Sequence, residues 1–297
     1  MNLQRFRSHP AGTTFSLAII GVCVLASSVF CGSLPAQQRP LKTDDTDLLE
    51  LGRIRTEFGV EFLQGQRYSL SGLEGDLTRL GVTSLRFGVG EYADVELSGV
   101  VQDFLSVSRR YPPVIPPDFA GNATSDFGDI MLATRLRFAR EGSRRPALGF
   151  KFAVQLPNAS NETGLGTDET NFFSSLLFSK RVGGTQLLGN LGLAILGSAV
   201  TPAAQSDLFT YGLAFVTPVH RRVSIFGEIY GRQGPERAGN ESQSQIRVGA
   251  QFSAGGLLWD LAAIAGLKTF DPDSGLALGV TYEFQGFHKN RSPRTIK

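Results

Sequence analysis

Residues able to do proton or metal chemistry are scarce in this chain, and their placement argues against a catalytic centre. There are 3 histidines and 2 cysteines. His9 lies in an apolar leader, His220 beside Arg221 and Arg222 in an expected turn, and His288 in a basic tail. Histidine is the usual base near neutral pH, and neither His220 nor His288 falls at the expected outer rim, where barrel enzymes meet their substrates. Cys23 and Cys31 both fall in the leader, so the rest of the chain has no thiolate for catalysis, zinc or a disulfide. Asp118, Asp126 and Asp129 could offer oxygens to calcium, but solvated loop carboxylates are the simpler reading. Gly164-Leu165-Gly166 lacks the lysine and the strand-to-helix setting of a phosphate loop. Asn122, Asn158, Asn161 and Asn240 begin Asn-x-Ser/Thr triplets, read here as polar loop composition. No enzyme activity, metal or cofactor is expected.

What remains is a set of charges spaced by two. Arg55, Glu57 and Glu61 alternate with Ile54, Thr56, Phe58, Val60 and Phe62. Arg135 and Arg137 alternate with Leu136 and Phe138, and Asp94 and Glu96 with Ala93, Val95 and Leu97. Arg86, Asp129, Lys151, Glu228, Arg247, Asp260 and Glu283 lie in similar settings. A strand points successive side chains to opposite faces, so each segment is a ribbon with one apolar face. Charges at every second position cannot face lipid, where each costs several kcal/mol near mid-bilayer. They are expected to face an aqueous or packed interior.

About twelve such ribbons occupy residues 53–284, and the fold class expected is all-β, a transmembrane antiparallel up-and-down β-barrel. The ribbons lie near 53–62, 77–89, 92–103, 127–139, 147–156, 170–181, 185–197, 207–217, 221–231, 243–253, 256–267 and 275–284, about 10 to 14 residues each. Ribbon 170–181 is ambiguous, with Phe and Leu on both faces. Connections alternate. Gly90-Glu91, Gly183-Gly184, Pro218 to His220 and Ala254-Gly255 are tight, and 141–145 is short and charged. Residues 104–126, 157–169, 198–206 and 232–242 are longer. Short turns belong at the periplasmic side of such barrels and long loops outside, which puts both ends of an even-stranded barrel in the periplasm. A soluble sandwich would also alternate, but a charged inner face and alternating loop lengths are less expected there.

The flanks fit this placement. Arg5, Arg7 and His9 precede the apolar run 15–30, and Leu34-Pro35-Ala36 precedes a polar stretch, so residues 1–36 read as a cleaved secretory signal. Without them 27 basic residues face 27 acidic ones, and no field is left to attract nucleic acid. Residues 37–52 read as a periplasmic N-terminal segment, acidic at Asp44, Asp45 and Asp47, with one helical turn after Thr43. Whether residues 37–51 enter the lumen is not given by the sequence. Residues 285–297 form a basic periplasmic tail with His288, Lys289, Arg291 and Arg294. In the last ribbon Gly279, Tyr282 and Phe284 match the spacing of the signal by which barrel assembly machinery recognises its clients.

Three stretches carry a resemblance: Leu85-Arg86-Phe87-Gly88 leading to Asp94-Val95-Glu96-Leu97, Ser125-Asp126-Phe127-Gly128-Asp129-Ile130, and Lys151 to Asn158 with Leu156-Pro157. With the closing Leu278-Gly279-Val280-Thr281-Tyr282-Glu283-Phe284, the chain resembles the outer-membrane transporter family labelled after the MetA pathway of phenol degradation. The resemblance implies a barrel passing small, often hydrophobic or aromatic, molecules, and no catalytic set.

The expectation is therefore a cell outer-membrane channel or transporter in a Gram-negative-type envelope. Its partners would be outer-membrane lipid, the barrel assembly machinery and a small-molecule permeant. The alternative is a closed structural or adhesion barrel binding a partner through its outer loops. The charged set Arg55, Glu57, Glu61, Arg86, Asp94, Glu96, Asp129, Arg135, Arg137, Lys151, Glu228, Arg247, Asp260 and Glu283 would line a narrow pore or brace a plugged one. Twelve strands are intermediate between packed and open barrels. Residues 104–126, apolar and stiffened by Pro112, Pro113, Pro116 and Pro117, would fold into the mouth or pack on neighbouring loops.

Overall fold

Alternation is realised as a single closed sheet. The structure, a computed structural model, describes residues 39–287; the leader and the tail from His288 onward lie outside the described residues. The strands are β1 (Arg53–Tyr68), β2 (Leu73–Gly88), β3 (Ala93–Arg110), β4 (Ala123–Asp126), β5 (Ile130–Ala139), β6 (Ala147–Leu156), β7 (Asn171–Val182), β8 (Thr185–Gly197), β9 (Gln205–His220), β10 (Val223–Gln233), β11 (Gln243–Ala254), β12 (Leu257–Gly266) and β13 (Ser274–Gln285). Except for β4 and β5, consecutive strands pair antiparallel, and β1 pairs with β13 from Arg53↔Gln285 to Gln64↔Ser274, which closes the ring. Closure removes the unpaired edges that an open sheet exposes. β4 and β5 both pair with β3 and act as one stave broken at Phe127-Gly128-Asp129, so the barrel has twelve staves.

The two faces separate as the pattern predicts. Phe58, Phe62, Leu97, Leu132, Leu136, Leu191, Leu213, Val248, Leu261 and Leu278 are exposed on the outside, a continuous apolar belt that suits lipid rather than water. The interior holds Arg55, Glu57, Glu61, Arg86, Asp94, Glu96, Arg135, Glu228, Arg247 and Asp260, all buried. In the ambiguous ribbon, Phe172 and Leu176 face out while Leu177 is buried, and Phe173 packs inward on Ala194, Leu196 and Leu208. One patch of the interior is therefore apolar, and that is why periodicity could not choose a face there.

Several expected boundaries change. β1 and β2 have 16 residues each and β3 has 18, more than the hydrocarbon needs. Their ends project at the long-loop side and are tied by polar contacts: Arg67 and Arg109 pair with Glu74, and the Tyr111 hydroxyl donates to Glu74. Of the expected loop 104–126, residues 104–110 and 123–126 are thus strand. The remainder packs on neighbouring loops: Val114 and Ile115 N–H both donate to Leu70 O, and Asp118 N–H to Glu162 O. Phe119 packs against the cluster containing Leu73, Leu77 and Leu105. Gly81 forms a bulge opposite β1 with φ +69°, a conformation that glycine adopts without the penalty of a Cβ.

Residues 39–50 differ most from expectation. They form neither a lead-in below the barrel nor a helical turn after Thr43. They run extended inside the lumen, from mid-barrel at Arg39 to the short-turn end at Glu50. The reason is polar complementarity with the wall, which outweighs the tendency of an acidic segment to stay solvated.

Candidate functional site: the lumen and its internal strap

The site is built from two charge ladders on the wall and one strap threaded between them. Register pairs place Glu283 beside Arg55, Arg55 beside Arg86, Arg86 beside Glu96, Asp94 beside Arg135 and Arg135 beside Lys151. This makes a continuous polar belt across six staves. A second group stands nearer the long-loop end, where Glu61 pairs with Arg247 at 2.9 Å and lies 3.7 Å from Arg79, which pairs with Asp103 at 3.1 Å. Glu228 lies opposite Arg247 in register.

The strap matches both. Its first part carries Arg39 and Lys42, and its later part carries Asp44, Asp45, Asp47 and Glu50. Arg39 lies 3.5 Å from Asp260 and donates to the carbonyls of Leu278 and Val82. Arg247 donates to Pro40 O and Gln251 to Arg39 O. The Lys42 and Thr43 N–H groups donate to the Glu228 carboxylate at 2.9 Å. Asp44 accepts from Lys151 at 2.9 Å and Arg135 at 3.3 Å, while Asn190 clasps its backbone from both sides. Thr46 N–H donates to Ser179 and Leu49 N–H to Asp94. Asp47 lies 3.7 Å from both Arg137 and Arg181. Five backbone N–H groups of the strap and three of its carbonyls are thus satisfied by wall side chains rather than by a sheet ladder.

One apolar contact fixes its register. Leu41 is 3% exposed and lies in a ring with Leu63, Leu188, Phe226, Ala262, Ile264 and Ala277. Burying such a side chain contributes about 1.5–3 kcal/mol. A slot is cut for Arg39 by Gly59 and Gly279, which are register partners on β1 and β13. A Cβ on either would collide with the Arg39 guanidinium.

The strap divides the lumen. Above it a cavity of about 650 Å³ is floored by residues 39–44 and walled by Leu63, Tyr68, Leu77, Phe173 and Tyr230 together with Arg79, Asp103 and Gln245. Below it a cavity of about 250 Å³ is bounded by residues 47–50 with Arg53, Arg55, Arg137 and Glu283.

The residues picked from the sequence fall into three places. Asp94, Arg135, Arg137, Lys151, Glu228, Arg247 and Asp260 touch the strap, and Glu61 lies 4.0 Å from Lys42. Arg55, Glu283, Arg86 and Glu96 pair along the wall, and Glu57 is buried among them. Asp129 holds a loop instead, accepting from Gln155 and from the N–H groups of Asn158 and Ala159. Asp126 does the same for Ser160 and Thr163. Those carboxylates are turned to N–H and O–H donors, and among the described residues no group of three or more His, Cys, Asp or Glu could hold a metal ion. Tyr282 faces outward and stacks on Phe284. His220 is exposed at the short-turn end.

Sequence reading missed Arg39, Leu41, Lys42, Asp44, Asp45, Asp47 and Asn190. The signal was present in the order of charges: basic then acidic in the segment, against acidic then basic wall levels.

Comparison with known proteins supports the architecture. No family model matches the chain, and no curated protein matches it. Among solved structures it is similar to the COG4313 outer membrane channel from Pseudomonas putida F1, with TM-score 0.56 and 16% identity over 81% of this chain and 98% of that one. The translocator domain of the autotransporter NalP from Neisseria meningitidis is matched at TM-score 0.48 and 13% identity, over 80% of this chain and 91% of that domain. The chain therefore has the fold of outer-membrane β-barrels.

Proposed function

We propose that this protein is an outer-membrane channel for passive, diffusion-driven passage of small molecules, held closed by the strap of residues 39–50. The observation that carries this reading is the division of one lumen into two cavities by a segment bound to the strands through side-chain contacts alone. Removing a wall strand would destroy the barrel; moving the strap would only join the cavities. The long-loop end then faces outward and the short turns face the periplasm. Residues 1–36 serve as the export signal, and Gly279, Tyr282 and Phe284 as the assembly signal. Aliphatic and aromatic side chains among the charges of the upper cavity suit small permeants with an apolar or aromatic body. The phenol-pathway resemblance points the same way, and it rests on the short motifs alone.

Planar-bilayer conductance of the refolded chain with and without residues 37–50 tests the reading. The intact protein is expected to open only rarely, and the shortened one to give sustained, reproducible steps whose ion preference shifts on Arg137→Glu. Silence from a shortened chain shown to be folded would overturn it. That outcome would favour a closed structural or adhesion barrel, for which the interlocked loops at Leu70, Tyr111, Val114 and Glu162 provide a firm outer surface.

Closure should depend on pH. Asp45 is buried, and burial pushes its carboxyl up to about 6, with the nearby Asp47 adding to the rise and Arg86, Arg135 and Arg55 opposing it. In a released strap it would titrate near the ordinary value of about 3.9. A carboxyl with a raised docked pKa binds its proton more tightly when docked. Docking is therefore strengthened as pH falls through 6 toward 4 and weakened above 6. Open probability should drop between pH 7.5 and pH 5, and Asp45→Asn should flatten that dependence. An unchanged slope in Asp45→Asn would remove Asp45 from the closure equilibrium.

A further inference from the structure

Among the described residues, the short-turn rim of the barrel is electrostatically split. Two hairpin connections, β5–β6 and β9–β10, carry Arg140, Arg144, Arg145, Arg221 and Arg222 on exposed positions, and the β7–β8 connection between them is the neutral Gly183-Gly184. The single acid among them, Glu141, is taken by Lys180 at 2.9 Å. Arg140, Arg144, Arg145 and Arg222 have no carboxylate partner among the described residues. The other connections at that end are neutral or acidic: Gly90-Glu91 joins β2 to β3, Gly255-Gly256 joins β11 to β12, and Arg53 at the β1–β13 closure is paired with Glu283. Neighbouring strands are spaced about 4.8 Å apart. The two basic hairpins are four strand spacings apart, roughly 19 Å along the rim, so each acts as a local cluster and their fields overlap only at low ionic strength.

The position of the cations relative to the lipid belt says what they meet. Each basic connection is preceded by an outward apolar residue that is more than half exposed: Phe138 at 62% and Val219 at 51%. The guanidinium groups therefore stand just beyond the edge of the apolar belt, at the depth of lipid headgroups. Tight turns offer far less area than the roughly 800 Å² per partner that a stable protein interface needs. The opposite arc carries Tyr92, Trp259 and Tyr282 instead, the aromatic type that seats a barrel in any interface without choosing headgroup charge.

We propose that this arc is a binding surface for anionic phospholipid of the inner leaflet, with the arginines Arg140, Arg144, Arg145 and Arg222 gripping phosphodiester headgroups. Arginine suits that role because its planar fork bonds phosphate oxygens in pairs. The surface would hold the barrel in anionic patches of the leaflet whether or not the lumen conducts, so its failure leaves the channel reading untouched.

Native mass spectrometry of the refolded, delipidated full barrel, offered phosphatidylglycerol and phosphatidylethanolamine with identical acyl chains, tests it. The barrel should retain phosphatidylglycerol at least tenfold better, each cation near an anionic surface contributing on the order of fivefold. The combined variant Arg140→Gln, Arg144→Gln, Arg145→Gln and Arg222→Gln should bring the ratio within twofold of unity. Lys268→Gln, at the opposite end, should leave it unchanged. Heat-modifiable gel mobility checks that each variant is folded. Equal retention of both lipids by the parent, or an undiminished preference in the folded combined variant, would overturn the proposal. So would selective retention of poly-glutamate without lipid preference, which would point to an acidic periplasmic partner.

Discussion

Leu41→Asp is expected to open the lumen while leaving every residue of the barrel wall in place. Leu41 is the strap's only large apolar side chain in the ring formed by Leu63, Leu188, Phe226 and Ile264. Its removal forfeits about 1.5–3 kcal/mol of burial. A carboxylate at the same point adds a desolvation cost of several kcal/mol in the apolar ring, and the neighbouring Lys42 and Arg247 already face Glu61. Glu228 is already engaged with the adjoining Lys42 and Thr43 N–H groups, so a new negative charge also repels this neighbour. The contacts left to the strap are hydrogen bonds and ion pairs that water can replace, each contributing about 0.5–3 kcal/mol net. One substitution thus removes a contribution comparable to two or three of them. In bilayer recordings Leu41→Asp should approach the conductance of the chain lacking residues 37–50. Leu41→Met, which keeps volume and polarity, should stay as quiet as the parent. A quiet, folded Leu41→Asp whose strap remains protected from protease would show that Leu41 does not hold the strap.

The wall was legible in the sequence because its constraints are local. Glu57 and Phe58 are neighbours in the chain and face opposite media, so a period of two reveals the strand, and loop lengths reveal its direction. Strand parity then closed the ring without any distance information. The strap was not legible because its partners are remote. Asp44 meets Lys151 across 107 positions and Thr43 meets Glu228 across 185, and a short acidic segment with three scattered or terminal leucines looks like any solvated linker. The extended ends of β1, β2 and β3 escaped for another reason. Above the lipid, alternation need not be apolar against charged, and Glu74 with its Arg67 and Arg109 partners looks like loop composition. Asp126 and Asp129 show the limit of reading residue types without geometry. As bare carboxylates they resemble cation ligands, but the N–H groups of Ser160, Asn158 and Ala159 occupy them.

Arg135→Met is expected to cost more stability than any other single truncation in the wall. The Arg135 side chain is 1% exposed and addresses three carboxylates at once: Asp94 at 3.1 Å, Glu96 at 3.3 Å and Asp44 of the strap at 3.3 Å. Methionine fills most of the volume, so the loss is electrostatic rather than a cavity. Lys151 stays close to Asp44 and Glu96 but cannot balance three acids. Breaking a buried pair from one side typically costs 3–5 kcal/mol because the abandoned charge remains desolvated, and here the abandoned acids also repel one another. The temperature at which the barrel loses its compact gel mobility should fall by several degrees or more, and the strap should be released first because Asp44 is the one acid free to leave. Pairing the change with Asp44→Asn separates these effects. If the network is shared between wall and strap, the double variant should recover part of the lost stability, a coupling of about 0.5–3 kcal/mol. Purely additive losses would mean that Arg135 braces the wall alone and that the strap is held by Glu228, Asn190 and Leu41.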